Sequence, residues 1–473
     1  MKLLNRITDI YLIYVLLFFI LLIDKSGYSN ILVFKWNMYV YVSIVYILTI
    51  LIISAIKILN KSISIKEFSF NQAYLFALIY LFIMIVSTIF SPYKSYNLLI
   101  GSPRMQGLIV NIIYIVSFIV VSLTYKFNKN TIYVVLLPSI IMGFIIILQK
   151  IGYNPFYLYK KVYSKIFCGT IGNVDTVGLL YTMYIVLSLS LFIFSKSFNK
   201  IYLIISVIIS LIVMMIIDVT SMYVSLFVIM LLVFPYATLK STYLFRYLVI
   251  LLCILIVVLI YQLDKYFMLL PIIFMVILTM LILSNKTYNI VCKKNIKLSY
   301  YLLVVFILLL IFGIYIVDFK SGFIYELHSI MHGNLDDSFG TYRMFLIKRT
   351  IRMLDINHIL LGSGVDTFYI PFMNKYFSDL QLQGYVNIND SACNFYLTML
   401  INVGILGLSS FMLFIYKIFK LAKSNINALS VCLLITILSY LIQGLFNIEV
   451  VIVTPIFYVM LSIYINSLKS IEK

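Results

Sequence analysis

The stretch NDSACNFYLTMLINVGILGL, residues 389–408, runs without a break from polar residues into an apolar helix of membrane grade. A lone thiol, Cys393, stands at the mouth of that helix beside Asn394, and Gly404 and Gly407 follow inside the apolar run. What such a mouth can do depends on how apolar runs and polar junctions alternate along the rest of the chain.

Composition answers the first part of that question. Of 473 residues, 64% are hydrophobic and only 11% are charged, whereas a soluble globular chain carries about 25% charged residues. The mean hydropathy is +1.11. Apolar runs of about 18–20 residues recur along the whole length, each long enough for a transmembrane helix. The sequence therefore predicts an all-α polytopic membrane protein with about 12–14 transmembrane helices and one long extracytoplasmic loop containing short helices. Three parts follow: an N-terminal helix bundle over 1–317, a loop over 318–392, and C-terminal transmembrane helices over 393–473. The N-terminus superficially resembles a signal peptide. Its apolar core, 8–23, is longer than a usual signal core, and no small-residue cleavage site follows, so it reads as the first permanent span. Two divisions between spans, near Asp218 and near Asp264, are very tight turns.

Positive charge sets the orientation. Lys2 and Arg6 precede the first span. Lys61, Lys126, Lys129, Lys196, Lys200, Lys240, Arg246, Lys417, Lys420 and Lys469 fall on the same side when both termini are cytoplasmic. Segments 91–107, 149–174 and 318–392 then lie outside. These outer loops break the charge rule with Lys94, Arg104, Lys150, Arg343, Lys348, Arg349, Arg352 and Lys375. A basic outer surface calls for an anionic partner, either lipid headgroups or a phosphate that arginine grips with two parallel hydrogen bonds. In 337–355 a helical period puts Met344, Ile347, Ile351 and Leu354 on an apolar stripe, with Arg343 at its edge and Lys348, Arg349 and Arg352 on a solvated face. LLGSG, 360–364, reads as the stop of that helix and a turn.

Several classes are excluded. There is no GxxxxGK[ST] phosphate loop and no cytoplasmic pair of carboxylates for a metal-dependent sugar-nucleotide site. The five cysteines show no CxxC spacing, so neither a metal centre nor a disulfide framework is expected. Nucleic acid is not an expected partner, because the basic residues sit in short loops between spans. No cofactor is called for.

Four segments together resemble the O-antigen ligase and O-antigen polymerase family of polysaccharide-assembling membrane proteins. They are GSPRMQGL at 101–108, GTIGNVD at 169–175, TYRMFLIKRTIRML with LLGSG at 341–364, and CN-x9-GILG at 393–407. The last is similar to the family's signature of His, then Asn, Ser or Gln, nine residues, and GxxG. The resemblance covers residue 75 to the end and implies a metal-independent membrane glycosyltransferase. Such an enzyme moves a glycan from an undecaprenyl-diphosphate carrier to an acceptor hydroxyl, on another glycan or a lipid-linked glycan, at the outer face of the cell membrane. It implies Arg343 as the long-loop arginine, with Arg104 and Arg349 as candidate partners on the diphosphate. Cys393 and Asn394 take the catalytic mouth, and Gly172, Gly404 and Gly407 the structural glycines. The chain departs from the family in two places: Cys393 replaces the histidine, and Met222 follows Ser221 where a mid-chain arginine is usual. A thiol is a poor substitute for an imidazole base. The proton then passes to His328, His332 or Asp390, the leaving diphosphate supplies the driving force, or the copy is impaired. The alternative from another class is a lipid-linked oligosaccharide flippase or other transporter.

Overall fold

The computed structural model describes residues 1–64, 70–96, 98–158, 167–261, 266–283, 296–354, 359–382, 390–421 and 427–469. All regular structure among them is helical. The first helix, α1, runs Lys2–Ile13, passes through a π-turn at Tyr14–Phe18 and ends with Phe19–Leu21. It is followed by α2 (Ile31–Leu59), α3 (Gln72–Ile89), α4 (Leu108–Thr124), α5 (Asn130–Ile151), α6 (Val174–Phe194), α7 (Lys200–Ile217) and α8 (Thr220–Ala237). Next come α9 (Ser241–Tyr261), α10 (Tyr266–Leu283) and α11 (Ile296–Ile316). Three short helices occupy the long loop: α12 (Gly322–Met331), α13 (Arg343–Arg352) and α14 (Tyr369–Leu382). The chain ends with α15 (Phe395–Lys420), α16 (Ala428–Gln443) and α17 (Thr454–Lys469). Among the described residues, nine helices are long and apolar enough to cross a membrane, and three shorter ones are also apolar. The chain is an all-α polytopic membrane protein.

The apolar runs sort by burial. Every residue of α6 from Thr176 to Phe194 is buried, as expected of a helix that is apolar all round and surrounded by others. In α2, by contrast, Tyr41, Val45, Leu48, Leu51, Ile52 and Ile56 are exposed. That surface is suited to lipid rather than water. Inside the bundle, small polar residues tie helices together: Ser206 of α7 bonds both Ser139 of α5 and Ser188 of α6 at 2.8 Å. Where lipid offers no hydrogen-bond partners, such interhelical bonds help set the packing. Asparagine starts five of the helices. The side chains of Asn71, Asn173, Asn199, Asn394 and Asn427 each accept a backbone N–H from the first turn, meeting part of the need of a helix N-terminus for acceptors. The division at Asp218 is real: the residue takes φ 49° and separates α7 from α8. The one at Asp264 lies outside the described residues.

The loops gather at two ends. At one end Tyr28 N–H donates to Leu158 O, and Tyr28 Oη donates to Gly169 O. The 98–109 loop meets 359–368, and α13 meets the start of α6. At the other end the Lys126 N–H donates to Asn5 Oδ1, and Lys417 Nζ donates to Gln72 Oε1. The described parts of 91–107, 149–174 and 318–392 that make these contacts thus share an end.

The decisive junction is in α15. Gly404 leaves the helical conformation, with φ 68° and ψ −174°. An unbroken helix would join Ile405 N–H to Ile401 O and Leu406 N–H to Asn402 O. Here all four groups pair with residues 359–364, LLGSG and the Ile359 before it, instead. Ser363 and Gly364 donate to Ile401 O and Asn402 O at 2.9 and 2.8 Å, while Ile405 and Leu406 donate to Ile359 O and Leu360 O at 2.8 and 3.2 Å. A Cβ on Gly404 would stand 2.2 Å from Leu360 O, and one on Gly362 would stand 2.5 Å from Asn402 O. Glycine on both sides is what allows the backbones to touch. LLGSG is therefore not a simple helix stop: it replaces the missing hydrogen bonds of a broken transmembrane helix.

The long loop brings a second correction. The amphipathic helix expected over 337–355 is only Arg343–Arg352, because Thr341 and Tyr342 take positive φ just before it. Its buried face is Phe345, Leu346 and Thr350, while Ile351, expected on the apolar stripe, is 52% exposed. The reason is electrostatic. Lys348 and Arg349 both pair with Asp337, and the Arg349 guanidinium lies 3.9 Å from the Phe345 ring centre. The charged pair is drawn inward and the helix turns with it.

Gly404→Ala is expected to destabilise the protein by about 1–3 kcal/mol from backbone strain alone, and to free LLGSG. Thermal unfolding of the purified protein and protease cleavage near 359–364 would show it. Gly313→Ala, where an added Cβ meets nothing within 4 Å, is the control that leaves both unchanged.

Candidate active site

GSPRMQG, 101–107, forms the tip of a tight loop closed by backbone bonds from Gly107, Leu108 and Ile109 to Ile100, Leu98 and Leu99. The first turns of α4 anchor it. Asn111 Nδ2 donates to Gln106 O and Gly107 O at 2.8 and 3.0 Å, and Tyr114 Oη donates to Gln106 Oε1 at 3.3 Å. The tip wraps a carboxylate. Asp366, held at φ 57° in the GVDTF turn, accepts the Gln106 N–H at 3.1 Å. A Cβ on Gly101 would stand 2.2 Å from Asp366 Oδ2, so glycine is needed for that approach.

Two arginines reach the same region from different loops. Arg104 Nε lies 2.6 Å from Asp390 Oδ2. Arg343, the first residue of α13, places Nη2 3.3 Å from Asp175 Oδ1, in the first turn of α6. Its Nε is buried without a hydrogen-bond partner. Both guanidinium groups act on Cys393. Burial pushes that thiol up from its ordinary range, and the charges of Arg343 and Arg104 only partly offset the effect. Arg104, Arg343 and Cys393, singled out separately in sequence, are thus brought together. Asn394 is present but fully engaged in structure: its Oδ1 accepts Leu397 N–H at 3.0 Å, and its Nδ2 donates to Leu445 O at 3.0 Å. It caps α15 and fastens it to the 444–453 connection.

Behind this mouth lies a cavity of about 60 Å³ lined by Arg104, Gln106, Asp366, Asp390, Asn402 and Glu449, with Tyr80 and Phe395 among its apolar walls. Glu449 enters from the connection before α17. Burial raises Asp366 to about 8, with the neighbouring Asp390 charge adding to the rise and the Gln106 N–H and Arg104 opposing it. Burial and the Asp366 charge raise Glu449 to about 8. Desolvation wins in both cases because removing a carboxylate from water outweighs one or two favourable contacts. Gln106 Nε2 and Asn402 Oδ1 are buried here with no partner.

Sequence reasoning singled out neither Asp366 nor Glu449 as a site residue. Each is a lone carboxylate inside a largely apolar stretch, VDTF or IEVVIV, and that is the signal that would have found them. Other candidates fall elsewhere. Arg349 is held by Asp337 at 2.5 Å and Asp379 at 3.6 Å. His328 and His332 pack on each other, His332 also stacks on Tyr315 of α11, and His358 lies outside the described residues. Gly172 adopts φ 85° against Ile31 and Tyr28, and shapes the approach to α6. The described residues hold no group of three or more His, Cys, Asp or Glu able to bind a metal ion. No protein-family model matches the chain, and no curated protein matches its sequence.

The raised Cys393 thiol fixes an expectation. With an ordinary value near 9 pushed higher, its thiolate fraction at pH 7 lies below about 1%. Maleimide labelling of a variant retaining only Cys393 should stay slow at neutral pH and accelerate beyond pH 9. Removing a cation raises the thiol further, so Arg104→Ala should slow it more. A plateau near pH 7 would mark an activated nucleophile instead.

Proposed function

We propose that this chain transfers a glycan from an undecaprenyl-diphosphate carrier to an acceptor hydroxyl, as a ligase or polymerase in surface-polysaccharide assembly at the outer face of the cell membrane. The observation that carries this reading is the meeting of Arg104 and Arg343, from two separate loops, at the Cys393 mouth of α15. A glycosyl transfer from a diphosphate leaves negative charge on the departing group, and preorganised guanidinium groups stabilise that charge most where water is scarce. The unpartnered Nε of Arg343 is a donor still free for a phosphate oxygen. Each arginine rests on a carboxylate, Asp390 or Asp175, which holds it in place and keeps the empty site near neutral. The end that bears the site faces outward in this reading, because Lys2, Arg6, Lys126, Lys200, Lys417 and Lys420 crowd the other.

A second reading has one observation in its favour. Carboxyls that hold protons near neutral pH, as Asp366 and Glu449 do, also serve proton-coupled carriers, so a flippase for the same lipid-linked glycan would use them.

Arg343→Ala separates the two. Loss of one charge-stabilising donor should lower transfer about 10²–10³-fold. Surface polymer should disappear while short lipid-linked units accumulate on the outer leaflet, as read by extracting labelled lipid from intact cells. Arg343→Lys, which keeps a point charge but loses the fork, should fall between. Accumulation on the inner leaflet would identify a flippase, and unchanged polymer would remove both.

A further inference from the structure

We infer that the cavity formed by Asp366, Glu449, Gln106 and Asn402 is the acceptor subsite, and that Asp366 takes the proton of a sugar hydroxyl bound there. This rests on the transferase reading and supplies the base that Cys393 does not.

The geometry is that of a polar pocket with unmet capacity. Gln106 and Asn402 both line the cavity; Gln106 is only 7% exposed, its Nε2 is buried with no acceptor, and Asn402 Oδ1 is buried with no donor. Buried polar groups are normally paired. A group that donates one hydrogen bond and accepts another, which is what a hydroxyl does, would satisfy both. About 60 Å³ admits a few waters or one hydroxyl-bearing edge of a sugar ring.

The charges around it are arranged for proton transfer. Asp390 is paired with Arg104 at 2.6 Å, yet its charge still makes Asp366 harder to ionise, and Arg104 offsets only part of that. Among the described residues neither Asp366 nor Glu449 forms an ion pair, and the charge of Asp366 in turn makes Glu449 harder to ionise. The other titratable groups that feel Glu449 are tyrosines: Tyr80, Tyr114, Tyr396, Tyr440 and Tyr458. Two adjacent carboxyls in such surroundings hold a proton near neutral pH and release it just above. A base matched to the operating pH is the efficient kind.

In the step itself the acceptor O–H bond breaks and its proton moves to a carboxylate oxygen of Asp366. The hydroxyl oxygen forms the new bond to the anomeric carbon. The bond from that carbon to the diphosphate breaks, and its electron pair leaves with the diphosphate, whose charge Arg104 and Arg343 hold.

Two measurements test this. The first needs no substrate. Infrared titration of the full-length protein in nanodiscs follows the protonated-carboxyl band. A component should be lost through about pH 8; it should shrink in Asp366→Asn, with the remaining Glu449 part moved to lower pH because the Asp366 charge is gone, and the Asp366 part should move to lower pH in Asp390→Asn, because removing that like charge eases ionisation of Asp366. The second uses the lipid-linked glycan that accumulates in Arg343→Ala cells as donor. Wild-type transfer should rise with pH to a plateau above about 8. Asp366→Asn should lose at least 100-fold, and Asp390→Asn should shift the rise to lower pH. A purely structural role for Asp390 would lower the rate without moving the profile. Wild-type transfer in Asp366→Asn, an unmoved profile in Asp390→Asn, or no carboxyl titrating near pH 8 would each overturn the inference. If Arg343→Ala accumulates no donor while the carboxyl band titrates as stated, the transferase reading fails, and the acceptor-base inference falls with it, leaving only the proton-holding pair.

Discussion

Four backbone hydrogen bonds between residues 359–364 and the broken middle of α15 hold the site in place. A membrane helix cannot leave two N–H and two C=O groups unpaired in an apolar setting, where each orphan costs several kcal/mol. The break at Gly404 is therefore possible only because a loop arrives to fill it. Conversely, the loop can enter the bundle only because the break offers it partners. Ser87 and Ser363 add side-chain bonds to Asn402 O and Ile401 O, and Ser91 donates to Ser363 O in the arriving loop. This junction fixes where residues 365–368 emerge, and so puts Asp366 under the GSPRMQ tip. It also sets Cys393 and Asn394 one short half-helix away from the break.

Around that frame the electrostatics divide cleanly. Arginine–carboxylate pairs occupy the rim, where residual solvent keeps ions affordable: Arg104 with Asp390, and Arg343 with Asp175. Carboxyls without a cation lie deeper, Asp366 and Glu449. The thiol of Cys393 sits between the two zones, and there burial prevails over two nearby guanidinium groups. The same desolvation that disables the thiol as a base raises the carboxyls into the range where a base is useful. One low-dielectric environment thus has opposite consequences for two kinds of acid, because the ordinary value of one lies above neutrality and that of the other below it.

Much of this was legible in the chain itself. Length and hydropathy were enough for the helices, since an apolar run of about 20 residues has few other fates. The tight division at Asp218 was visible because a lone acid interrupts two apolar runs. Arg343 and Arg104 stood out because the orientation expected from the charge pattern leaves few cations for the loops that carry them. What stayed hidden were the relations. Nothing local in LLGSG says that it repairs a helix forty residues on; a glycine-rich turn after a helix looks the same whether it ends the helix or docks elsewhere. The buried face of α13 was misread because periodicity counts apolar residues, whereas here Asp337 pulls Lys348 and Arg349 inward and exposes Ile351. Asp366 and Glu449 are 83 positions apart in sequence, and only the fold makes them neighbours.

The placement of the two proposed functions follows from how each group is supported. The arginines stand on a loop tip and a short helix, each held by one carboxylate, a support that leaves room for the shift the proposed grip on a diphosphate requires. The carboxyl pair is fastened from three sides, by the 101–106 tip, the junction at Gly404 and the connection before α17. A proton acceptor has to be positioned to within a fraction of an ångström of the hydroxyl it serves, and that precision is hard to obtain on a free loop. The broken helix is thus more than a packing solution: it gives Asp366 the rigidity of a transmembrane element while keeping it on a turn whose backbone can face a cavity.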